Sequence, residues 1–107
     1  MPQIHLVERV PTVRKIDKDK NEWESGLWAV SEESAKKLVG GRLFLHAGKQ
    51  QASHFGGEIL SYRVEDAGEK AGQVVFTVFA AVDAKGVKVA RTGWSNDTKI
   101  VWDTPVS

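Results

Sequence analysis

The stretch LHAGKQQASHFGG, residues 45–57, concentrates side chains capable of chemistry: two histidines, a lysine, two glutamines, a serine and three glycines. Lys49, Gln50, Gln51, Ser53 and His54 are of the types that donate to phosphate oxygens or read a base edge. Gly56 and Gly57 permit close backbone approach or a positive φ. Residues 47–57 read as a polar loop, longer than a compact hairpin needs. The four tryptophans form a second set. Trp28, inside the apolar run GLWAV, reads first as core. Trp23 and Trp94 sit in polar sequence, NEWESG and TGWSND. There an indole either caps the core or offers its face to a planar or cationic ligand. Trp102 ends the run KIVW.

Templates for catalysis fit poorly. His46 and His54 have no HExxH or HxH spacing, so a metal would need a distant third ligand such as Asp97 or Asp103. Ser53 and His54 are neighbours whose side chains point apart on an extended segment, and no GxSxG is present. Neither GxxxxGK[ST] nor GxGxxG occurs. The acid pairs Glu32-Glu33 and Glu65-Asp66 read as helix-start and turn residues. With no cysteine, disulfides, thiol catalysis and Cys-ligated metal are excluded. No catalytic residue is assigned, and no cofactor or metal is implied.

Charge is balanced in sum, at a formal +1, but not along the chain. Residues 36–57 carry Lys36, Lys37, Arg42 and Lys49 with no acid. Residues 58–69 reverse the sign, with Glu58, Glu65, Asp66 and Glu69 against Arg63. Residues 85–102 turn basic again, with Lys85, Lys88, Arg91 and Lys99 against Asp97. Were the two basic stretches to share a face, they would attract a polyanion although the molecule is nearly neutral. Dispersed, they are solubilising charge on strand edges and loops.

The elements that must position these residues are short. Residues 3–10 alternate Ile4, Leu6 and Val10 with His5 and Arg9, a half-buried strand. Residues 13–25 are dense in both charge signs and read as a loop. A strand is expected over 26–30. Ser31 suits a helix N-cap, Glu32 and Glu33 the first turn, and Ala35, Leu38 and Val39 a buried stripe, giving a helix over 31–39 closed by Gly40-Gly41. Strands follow at 42–46, 58–64 and 73–82, the last apolar on both faces and placed at the centre. Residues 83–86 suggest a hairpin turn into a strand over 87–91, and 99–102 a last strand. The expected fold is mostly β with one short helix, a small antiparallel barrel or pseudo-barrel. At 107 residues a single domain over 1–107 is expected. No apolar run approaches the roughly 18 residues of a membrane span, and the N-terminus lacks signal-peptide shape. No membrane partner and a soluble, cytoplasmic setting are therefore expected; the oligomeric state is not indicated.

GLWAVSEESAKKLVGG, then RLFLHAGKQ, then FGGEILSY resemble PUA-like domains, especially the EVE and ASCH branches, over residues 26–64. In those families a tryptophan-bearing strand precedes a helix, and a glycine-bearing strand closes the barrel. The resemblance implies binding of RNA or of a modified, possibly flipped-out, DNA base. Under it, Trp23, Trp28 and Trp94 are candidates for stacking. His46, Ser53, Asn96 and Asp97 are candidates for edge reading, and Lys49, Arg91 and Lys99 for phosphates. Two other readings stand beside it. One is a protein- or small-ligand-binding β-domain that uses Trp23 and Trp94. The other is a small hydrolase or nuclease using His46, His54 and Asp97, which requires those three to converge.

Overall fold

The computed structural model describes residues 2–8, 13–17, 19–66, 68–69, 71–89, 94 and 97–102. The protein is mostly β with one α-helix. In chain order the elements are β1 (Gln3–Val7), β2 (Val13–Asp17), β3 (Glu22–Trp28), α1 (Glu32–Leu38), β4 (Arg42–His46), β5 (Ser53–Val64), β6 (Val74–Ala80), a 3₁₀ turn (Val82–Ala84) and β7 (Thr98–Val101). All seven strands share one sheet, ordered β2-β3-β6-β5-β4-β1-β7. The β1–β4 ladder is parallel and the others antiparallel. As expected, the fold is mostly β and mostly antiparallel around one short helix; the parallel β1–β4 ladder makes the sheet mixed, and among the described residues no ladder joins β2 to β7.

Side-chain alternation explains the layers. Ile4, Leu6, Leu43 and Leu45 point to one face, where they meet Ile59, Phe76 and Trp28 in the main core. The helix lays Ala35 and Leu38 on the same cluster. Ser31 caps it, its Oγ accepting from the Ser34 N–H at 3.2 Å. Tyr62 on β5 donates its hydroxyl to Glu32 at 3.0 Å, tying the helix to the sheet.

The opposite face of β1, β4 and β5 is buried too, by the chain that leaves β6. Ala84 is fully buried there. The expected hairpin turn at 83–86 is not formed and residues 87–89 are not a strand; residue 90, like 91, lies outside the described residues. Instead a 3₁₀ turn leads into residues 85–89, an irregular strap. Ser53 fastens the strap. Its Oγ donates to the Ala84 carbonyl at 2.5 Å and accepts from the Val87 N–H at 3.0 Å. Its backbone N–H donates to Val87 and its carbonyl accepts from Gly86. Ser53→Ala should cost about 2 kcal/mol, because it leaves two backbone groups under the strap without a partner. Urea unfolding would measure it.

Three further expectations are corrected. Residues 13–25 are not a loop but the β2–β3 hairpin. An edge hairpin needs apolar residues on one face only, so its other face is free to be charged, and Arg14 pairs across to Glu24 at 2.8 Å. The loop after β4 ends at residue 52, because FGG belongs to β5. The centre of the sheet is β5, with β6 beside it.

Candidate functional site

A cleft of about 470 Å³ opens where the two flanks of the sheet approach each other. Trp28 ends β3, Ser31 and Ser34 start the helix, Gln73 precedes β6, and Asp97 and Thr98 begin β7; all six line it. Because β3 and β7 lie far apart in the strand order, curling of the sheet brings these residues together. The Trp28 indole N–H donates to Ser25 Oγ at 3.0 Å, which fixes the ring against the core wall. Three hydroxyls, a carboxamide and a carboxylate converge on this cleft beside Trp28, which is 9% exposed. That mixture suits a planar ligand with a hydrogen-bonding edge.

Trp23 lies at the other end of β3. It lines a separate depression of about 290 Å³ with Phe55, Gly56, the chain after β6 and Lys85. Five residues of strand separate it from Trp28, roughly 15 Å. Trp94 is in a third place, edge-on to His46 with ring centroids 5.9 Å apart, and its indole nitrogen is buried without a partner. The tryptophans therefore do not surround one hollow.

His46 is buried in a polar pocket of its own. Its Nδ1 lies 2.8 Å from the Gln51 carbonyl, which can only accept, so Nδ1 carries the proton. Nε2 then accepts from His5 Nδ1 at 2.9 Å. Gln3 Oε1 lies 3.3 Å from His5 Nε2, and a half-turn of the carboxamide puts its N–H there when His5 is neutral. Phe44 stacks on His5 at 4.8 Å. Burial, then the neighbouring His46, then Lys99 lower the His5 pKa to about 4. With both ring nitrogens engaged, His46 is a structural residue rather than an edge reader.

His54 lies 3.4 Å from Glu8, whose backbone N–H donates to the His46 carbonyl, while the Val7 N–H donates to the carbonyl of Asp97, which lines the cleft. Among the described residues no group of three or more His, Asp or Glu side chains is placed to hold a metal. Lys49 is exposed on the 47–52 loop, beside a shallow hollow with Val7 and Gln51. Lys99 stands opposite His5 in the β7–β1 ladder. Arg91, Asn96 and Asp103 lie outside the described residues.

Ser53, for its part, holds the strap. Ser31, Ser34, Gln73 and Thr98 were not singled out in the sequence. The signal available was their position next to GLWAV and KIVW, but nothing local says that those two segments meet. His5 was hidden by alternation, which places it on a solvent face, whereas it is buried, stacked on Phe44 and bonded to His46. No helix among the described residues is long and apolar enough to cross a membrane. Comparison with protein-family models, curated proteins and solved structures gave no match.

Proposed function

We propose that the protein is a non-catalytic module that binds single-stranded RNA or a modified DNA base, with one base lodged in the cleft at Trp28. What supports this is the meeting of Trp28 and Asp97, from distant segments, in one concavity with Ser31, Ser34, Gln73 and Thr98. The small exposed part of the indole, 9% of Trp28, closes one side of the cleft. The Asp97 carboxylate accepts from an exocyclic amino group, as carboxylates do with cytosine. The hydroxyls and Gln73 complete the edge. Lys49 and Lys99 are assigned to flanking phosphates. The resemblance of residues 26–64 to PUA-like domains supports the same reading.

Indole fluorescence titrated with single-stranded oligonucleotides, with and without a modified base and at two ionic strengths, tests it. Salt-sensitive quenching is expected, and Asp97→Ala should weaken binding at least about five-fold. A flat signal with every oligonucleotide contradicts the proposal. Quenching by planar small molecules alone, indifferent to salt, reassigns the cleft to another ligand class.

A further inference from the structure

We propose that the Trp23 depression is a second site, which holds a nucleotide of the same strand by packing its base against Trp23 and Phe55 and binding its phosphate at Lys85. The site is independently built. The Trp23 and Phe55 rings meet edge-to-face at 67°, with centroids 5.4 Å apart, and form two walls of the depression. Asn21 fixes the indole: its Oδ1 accepts from Trp23 Nε1 at 3.1 Å, and its Nδ2 donates to the Ala80 carbonyl at 3.1 Å. This double bond pins the β2–β3 turn to the end of β6, so the ring is oriented before any ligand arrives. Asn21 achieves it at a φ of 55°, a conformation asparagine tolerates better than most residues.

Charge decides the ligand class. Lys15 Nζ lies 5.3 Å from the Trp23 ring centroid and Lys85 lines the depression. The Lys85 ammonium in the lining, with Lys15 over the Trp23 ring outside it, disfavours a cationic ligand and favours a planar one that carries negative charge. The carboxamide of Asn21 is already used on both sides, and the rest of the lining is Gly56, Ala80, Ala81 and Val82. The site therefore holds a base by its face rather than by its edge and is indifferent to sequence. It lies roughly 15 Å along β3 from the Trp28 cleft, so both sites are filled only by a strand of several nucleotides.

This inference rests on the nucleic-acid reading of the Trp28 cleft, and chain length separates the two. Binding is measured for a mononucleotide and for a single strand of about eight residues, with the wild type, Trp23→Ala, Lys85→Ala and Asp97→Ala. The expected result is that Trp23→Ala weakens binding of the long strand about ten-fold and that Lys85→Ala lowers its salt slope by about one. Asp97→Ala should act on both ligands. Lys85 is exposed, so its variant keeps the test valid if Trp23→Ala is destabilised. Unchanged long-strand affinity and salt slope in both the Trp23 and Lys85 variants, with the wild type binding, overturns the second site alone. No binding of either ligand by the wild type overturns the first reading and this one together. Inorganic polyphosphate that binds as tightly as the oligonucleotide, with no dependence on Trp23, also overturns it, since then charge alone acts.

Discussion

Gly57→Ala is expected to destabilise the protein by about 3 kcal/mol or more, on the scale of the severest packing changes. Gly57 lies on β5 between the backbones of β4 and β6, opposite Leu43 and Ala80. A Cβ built there falls 1.9 Å from the Phe79 carbonyl oxygen and 2.7 Å from its carbon. Those atoms are backbone, so no side-chain rotation relieves the contact, and β5 and β6 would have to part along the central ladder. Gly56 beside it is as tight, 2.3 Å from the Leu43 oxygen and 2.9 Å from the Ala84 Cβ. Gly48→Ala is the control, because its Cβ meets nothing closer than 3.9 Å, and it should change stability by less than about 0.5 kcal/mol. Thermal melting distinguishes the two: a fall of roughly 12 °C or more for Gly57→Ala against almost none for Gly48→Ala. Equal melting temperatures would mean that the strands are not packed as described.

A second large effect comes from pH. His5 is neutral in the folded protein, and its pKa falls from 6.5 to about 4 through burial, His46 and Lys99. In the unfolded chain it takes a proton near pH 6.5. A lowered histidine pKa gives stability that is complete above pH 6.5 and is lost as pH falls toward 4, because the unfolded chain then binds the proton more tightly. The difference corresponds to about 3 kcal/mol over that window. Urea unfolding at intervals between pH 7 and pH 4 should show this loss. His5→Phe keeps a ring against Phe44 but leaves His46 Nε2 without a donor, so it should be less stable at pH 7 and flatter below pH 6.5. A slope unchanged in His5→Phe would show that the loss comes from other groups.

How much of this was legible depended on whether the cause was local. The helix was readable because Ser31, Glu32, Ala35 and Leu38 carry capping, dipole and burial signals within one short window. RLFLH was readable as a strand for the same reason. The β2–β3 hairpin was not, since an edge hairpin with one solvated face leaves little apolar alternation, and RKIDKDK looks like a loop. FGG looked like a turn because glycine usually marks one, whereas here the glycines sit in a strand that two neighbouring backbones crowd. The strap over 85–89 reads as the start of a strand, whereas side-chain and backbone bonds to Ser53, not a ladder, order it. Placement of the tryptophans was least legible. Each indole could be assigned to a strand or a loop, but the curl of the sheet decides that Trp28 meets Asp97 while Trp23 meets Phe55 and Trp94 meets His46. The His5–His46 pair depends on the parallel register of β1 and β4, which neither segment encodes alone.

The proposal that a base occupies the Trp28 cleft is tested most directly by amide and indole NMR during titration with a single-stranded oligonucleotide. Shifts concentrated on the Trp28 indole N–H, Ser34, the Gln73 carboxamide and Thr98, and lost in Asp97→Ala, are the predicted result. A saturable interaction that leaves those four signals in place would contradict it.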